Sequence, residues 1–355
     1  MYGFVANGEP VNTVTIFDAS THTVVGTMTG SINQARSVAI SPDGRRVYVL
    51  NAGVNTISVF DTVTRTEIAG SPIATNGVWP LDMVMTPDGK KGFIMHSGGT
   101  ITVIDLTTNT LVGSPLNPGN GDSLVQMKMT PDGSTAYVTA ASSGRIWVVD
   151  VATNTITGFL EPIAGNYPMN GIALSPDGQT AWITSLTNNA VRAIDLTNDT
   201  ASGVISVGTS PTGGIAVSPD GLFVYVTNKG SDNVSVIDTA TKTVVQTIAV
   251  GVGPDSVAFT ADGTLAYVVN NWYDSVSVID TSTRTVIDTL TGFHTPFTEG
   301  GHFIGHAAHR GEVDAIGLRA HQHFTRDLQK DALIFVFAHV FNAPVAQPTR
   351  IVALF

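Results

Sequence analysis

Apolar and polar residues alternate in short stretches through the first 292 positions, and no apolar pattern of helical period and length occurs among them. The alternation has a repeating unit. Its first stretch is apolar with a small residue in the middle, as in Val38-Ala39-Ile40, Ile172-Ala173-Leu174, Ile215-Ala216-Val217 and Val257-Ala258-Phe259. Bulky residues then lie on one face of a strand, and the small one lets a neighbour approach. A second stretch carries an aromatic followed by an aliphatic residue, a third ends in Asp, and a fourth follows a Thr-x-Thr turn such as Thr241-Lys242-Thr243. Each unit therefore predicts four strands, here named A to D.

Two anchors fix the period. Strand C recurs as Val14-Thr15-Ile16-Phe17-Asp18, Ile57-Ser58-Val59-Phe60-Asp61, Ile101-Thr102-Val103-Ile104-Asp105, Ile146-Trp147-Val148-Val149-Asp150, Val191-Arg192-Ala193-Ile194-Asp195, Val234-Ser235-Val236-Ile237-Asp238 and Val276-Ser277-Val278-Ile279-Asp280. Successive Asp positions are 43, 44, 45, 45, 43 and 42 residues apart. The A–B turn recurs six times, from Ser41-Pro42-Asp43-Gly44 to Thr260-Ala261-Asp262-Gly263. Pro presets φ at the first central position, Asp tolerates the second, and Gly accepts the left-handed geometry that returns the chain. Seven four-stranded units of this length predict an all-β fold, a seven-bladed β-propeller of antiparallel blades.

The paired Gly-His and Trp-Asp of WD repeats do not recur, and kelch units are longer. Strand B instead resembles the YVTN family of propeller repeats found in surface-layer-type proteins. The match is letter for letter at Tyr225-Val226-Thr227-Asn228, and near at Tyr48-Val49-Leu50-Asn51, Tyr137-Val138-Thr139-Ala140, Tyr267-Val268-Val269-Asn270 and Phe4-Val5-Ala6-Asn7. This resemblance implies a bacterial or archaeal binding or interaction module, exported or held at the cell surface. Residues 1–7 show neither the basic nor the long apolar region of a signal peptide.

The repeat occupies residues 1–292 and begins in strand B, so the first blade needs a strand A from the C-terminal end. Val257 lies 19 residues after Asp238, which places the matching strand near Glu299, in the Gly-rich stretch Thr298-Glu299-Gly300-Gly301-His302. Residues 293–355 form a non-repeat, irregular tail holding seven of the nine His, and its apolar run 332–341 is the other candidate for the closing strand. A reading-frame shift or truncation would also produce such a tail.

Charged residues make up 13% of the chain against 43% apolar ones, a balance that excludes a solvated disordered chain. The net charge of -11 argues against nucleic acid as a partner. Acidic and basic residues balance at five each in 293–355, so the whole excess lies in the repeat. Thirteen Asp recur at equivalent turn positions, and equivalence gives them turn chemistry and no catalysis, which needs two unlike environments. The chain has no Cys, and no apolar run long enough to span a membrane.

Function is expected where the repeat varies, in the B–C and D–A connections on one side of the disc. That side carries Trp79, Tyr167, Trp272 and Tyr273. Residues opening the A strands converge on the channel mouth, and the candidates there are Arg36, Asp82, Gln126, Asn170 and Asp255. They suit a protein, small-molecule or carbohydrate ligand, and the expected role is non-catalytic recognition with no required cofactor. Related seven-bladed lactonases imply the alternative, a cation-dependent hydrolase in which Asp82, Asn170 and Asp255 hold Ca²⁺. Lys128 stands where strand A usually has Ala and is expected to pair with a carboxylate. In the tail, His302, His306 and His309 have the i, i+4, i+7 spacing of a metal-binding helix face, among glycines that oppose a helix.

Overall fold

The computed structural model describes residues 1–305 apart from 120, 142, 162–167, 295 and 298–303. The described strands form seven antiparallel sheets, the blades of a seven-bladed propeller. Blade 2 gives the plan, with strands Ala35–Ile40 (A), Arg46–Asn51 (B), Thr56–Asp61 (C) and Ile73–Ala74 (D). Strand A of blades 3 to 7 is Pro80–Met85, Leu124–Met129, Ile172–Leu174, Pro211–Val217 and Pro254–Phe259. Successive A strands neighbour one another around the axis. The register also repeats: the residue opening A faces the last residue of B, as in Ala35 with Asn51, Pro80 with His96 and Pro254 with Asn270.

Blade 1 contains Tyr2–Asn7 (B), Thr13–Asp18 (C) and Thr23–Met28 (D). Its strand A comes in two pieces, Pro296–Phe297 opposite Asn7 and Ala6, and Ile304–Gly305 opposite Gly3 and Tyr2. Pro296 faces Asn7 just as Pro254 faces Asn270, so the repeat's register survives where its letters are lost. The apolar run 332–341 lies outside the described residues.

Apolar burial is distributed between blades. One cluster joins blades 2 and 3 through Tyr48, Leu50, Met83 and Ile94, and another joins blades 6 and 7 through Tyr225, Val236, Val257 and Val268. The largest spans the closing seam, where Phe17 meets Tyr267 at 5.1 Å and Phe293 at 6.4 Å between ring centroids. Gly3 is required there, because a Cβ would fall within the Phe17 ring.

The thirteen repeated Asp organise the turn face. Asp220 accepts hydrogen bonds from the Ser218 hydroxyl at 2.5 Å and the Leu222 N–H at 3.0 Å, and Asp280 accepts from the Ser282 and Thr283 N–H groups, each at 2.9 Å.

Candidate functional site

At the channel mouth on the B–C and D–A side, the A strands and adjacent loops enclose a cavity of about 390 Å³. Arg36, Gln126, Asn170 and Asp255, four of the five predicted mouth residues, line it together with Lys229 and Leu186. The fifth, Asp82, is placed elsewhere. It is fully buried between blades, where its carboxylate accepts the N–H groups of Met83 at 2.9 Å and Met127 at 3.2 Å. Burial pushes the Asp82 carboxyl up, against the opposing pull of the Lys128 charge and these N–H groups. Burial likewise lowers Lys128, with Asp82 acting against it. Asp82 is therefore an inter-blade anchor, and its neighbour Leu81 takes the place at the cavity wall.

Three side chains lock the cavity walls. Gln126 accepts the Ile172 N–H at 2.6 Å through Oε1 and donates from Nε2 to the Gly213 carbonyl at 3.1 Å, which ties blades 4, 5 and 6 together. Thr139 and Thr184, from the third position of the strand B motif, donate to the carbonyls of Asn170 and Thr212 in the following blade, at 3.1 and 2.8 Å. These bonds run from side chains to the backbone of neighbouring blades and tie the blades together at the mouth.

Lys229 is the residue that sequence reasoning missed. Its Nζ lies 2.8 Å from Asp255 Oδ1, with the Lys and Asp side chains 20% and 10% exposed, and 5.4 Å from the centroid of the Trp272 ring. A signal existed: the place after the last strand B residue holds Gly8, Ala52, Ser97, Ala141, Leu186 and Asn271 in the other blades, and only blade 6 puts a charge there. Asn170 accepts the Leu186 N–H at 3.0 Å through Oδ1, leaving its Nδ2 as a donor.

The predicted aromatic residues separate. Trp272 lies in a short 3₁₀ turn, Asn271–Tyr273, and is 62% exposed beside the cavity. Tyr273, 70% exposed, lines a different depression toward the rim, with Asp274, Phe293 and His294. Trp79 is half exposed with φ of 58°, and its N–H is held by Asn55 Oδ1 at 2.5 Å. The same device serves other D–A connections, where Asn189 holds Ser210 and Asp232 holds Gly253. Tyr167, His302, His306 and His309 lie outside the described residues.

These positions do not fit Ca²⁺. Asp82 faces Lys128, Asp255 is engaged by Lys229, and Asn170 Oδ1 is taken by a backbone N–H. Among the described residues no group of three or more His, Asp or Glu could hold a metal ion. No described helix is long and apolar enough to cross a membrane.

Comparison with solved structures finds the same fold in distant proteins. Kuenenia stuttgartiensis hydrazine synthase is 22% identical, with a TM-score of 0.67 over 76% of this chain and 90% of that one. A functionally unknown protein from Desulfotomaculum acetoxidans DSM 771 is 18% identical, with a TM-score of 0.71 over 84% and 97%. The dihydro-heme d1 dehydrogenase NirN in complex with DHE is 18% identical, with a TM-score of 0.63 over 82% and 63%. No curated protein matches the chain. The family model for "Lactonase, 7-bladed beta-propeller" matches residues 95–309. With the seven blades and the cavity at their axis, that match places the chain in the lactonase, seven-bladed β-propeller family.

Proposed function

We propose that the protein is a non-catalytic binding module that takes a small ligand into the channel-mouth cavity. The supporting observation is the state of its polar groups. Gln126 is committed to two backbone partners, and Asp255, the carboxylate of the cavity lining, is engaged by Lys229. A general base must reach the proton it takes, and a carboxylate held by an ammonium at 2.8 Å favours recognition over proton transfer. An exported or cell-surface setting and the YVTN type of repeat belong to the same reading, and rest on the letters of strand B.

A second reading, hydrolysis of a lactone in the same cavity, is favoured by the family match. No step through a metal is part of it. Gly213 separates the readings. It lines the cavity, and a Cβ there would meet only the Gln126 side chain, at 3.4 Å, so Gly213→Leu is the substitution chosen to fill the site. In a screen of small metabolites and aldonolactones, the binding reading expects ligands that raise the melting temperature, lose this effect in Gly213→Leu and are recovered unchanged. Lactone turnover abolished by Gly213→Leu would replace it with the hydrolase reading. Ligands indifferent to Gly213→Leu would sink both.

A further inference from the structure

We propose that the ligand class of this cavity is a neutral saccharide, with Trp272 as the plate on which a sugar ring stacks. The inference rests on the binding reading above and adds to it the chemistry of the ligand. The cavity lining offers both donors and acceptors: the Lys229 ammonium and Asp255 carboxylate as a pair, and the Asn170 amide beside Leu186, with Leu81 also at the wall. An anionic ligand would meet Asp255, and a cationic one would meet Lys229 and Arg36. A wholly apolar ligand would strip these groups of water without replacing their hydrogen bonds, which is costly. A polyhydroxylated, uncharged ligand answers both signs at once, because each hydroxyl both donates and accepts.

The second observation is the placement of Trp272. Its indole lies against the Gly253 backbone, where a Cβ would come within 2.7 Å of two ring atoms. Gly253 has φ of 67° and its N–H is held by Asp232 Oδ1 at 2.9 Å, while its carbonyl accepts the Asn271 N–H at 2.9 Å. The plate is thus anchored on a fixed loop and still 62% exposed. Lys229 joins it to the cavity, with its Nζ over the indole at 5.4 Å from the ring centroid and 2.8 Å from Asp255 Oδ1. A large rigid ring with an apolar face beside converging polar groups suits the C–H face and hydroxyl rim of a pyranose.

The test is calorimetric titration of the full chain with neutral oligosaccharides (maltohexaose, cellohexaose and chitohexaose) and with two charged probes, galacturonate and glucosamine. At least one neutral saccharide is expected to bind. Trp272→Ala should weaken it about tenfold or more, as removal of a buried-contact Trp does at other binding sites. Trp272→Phe, which keeps a ring, should retain most of the affinity, and Leu222→Ala, an exposed residue at the Asp220 turn, should leave it unchanged. Gly213→Leu should abolish it. Binding of charged probes alone, lost in Gly213→Leu, would overturn the saccharide class while leaving the cavity reading intact. Saccharide binding indifferent to Trp272→Ala would overturn the plate. Binding lost in Trp272→Ala but kept in Gly213→Leu would move the site off the cavity and overturn both readings, and no binding by any neutral saccharide would overturn this inference outright.

Discussion

The last residue of strand B shows what one side chain does for a blade. Asn51 donates from Nδ2 to the Thr56 and Ser58 hydroxyls of strand C and to the Ser31 carbonyl, at 3.1, 2.9 and 3.1 Å. Asn7, Asn228 and Asn270 make the corresponding strand C bonds. Blade 3 puts His96 in this place, fully buried, with Nδ1 3.3 Å from the Thr100 carbonyl. Burial lowers its pKa from 6.5 to about 4, the Thr100 carbonyl opposing. A His held below its unfolded value contributes stability that is present above pH 6.5 and lost as pH falls toward 4. The loss amounts to about 3 kcal/mol at the lower end. His96→Asn, which restores the repeat, should remove that slope in urea denaturation followed from pH 7 to 4. The thirteen turn Asp act lower. In ten of them hydrogen bonds from turn hydroxyls and N–H groups are the leading cause that holds the carboxyl below its usual range. In Asp18, Asp43 and Asp61 desolvation is larger than any one such bond, and several bonds together outweigh it. Their contribution is intact above pH 4 and falls away below it, so acid unfolding of the His96→Asn variant should begin only there.

Among the elements, strand A departs from the repeat in the most informative way. Position by position, Asp82 stands where blades 2 and 7 have Ser37 and Ser256, and Lys128 stands where four blades have Ala39, Ala173, Ala216 and Ala258. The two charges belong to neighbouring blades and offset each other's burial. Asp82→Ala should cost about 3–5 kcal/mol because it strands the Lys128 charge, whereas Asp82→Ser with Lys128→Ala, the repeat's own choice, should recover most of the loss. A double-mutant cycle in denaturant measures this. The odd residues were legible in the sequence because seven copies supplied the expectation. Their pairing was legible only as a need for some carboxylate, since the partner lies one blade away at a spacing no local pattern records. Asp82 stands at the position from which Gln126 reaches the cavity, but its shorter side chain ends on the Met83 and Met127 N–H groups between the blades. The odd charge of Lys229 was legible in the same way, but its partner Asp255 was not, since that residue lies in the next blade.

For the whole molecule, closure of the ring is the feature that the repeat count demanded and the letters concealed. Pro296 keeps the register of Pro254, yet the residues after it share none of strand A's apolar alternation. Packing at the seam explains why the register holds. Phe293 is buried against Phe17, the His294 N–H donates to Asn7 Oδ1 at 3.2 Å, and Asn271 donates to the Pro296 carbonyl at 2.6 Å. Phe293→Ala should therefore destabilise the fold by about 3–5 kcal/mol, and a chain ended at residue 292 should melt lower still. Equal melting curves for the full and shortened chains would refute closure by this segment. The net charge also finds its place at this scale. The turn Asp are gathered on one face, so the acidic excess marks that face, and the cavity opens on the other.

That division of the two faces is tested most directly by a crystal structure of the full chain with the tightest ligand from the metabolite and saccharide screen. We predict electron density in the cavity between Asn170, Lys229 and Asp255, with the ligand extending to Trp272. Density on the face of the Asp-bearing turns, with the channel mouth filled only by solvent, would contradict the account.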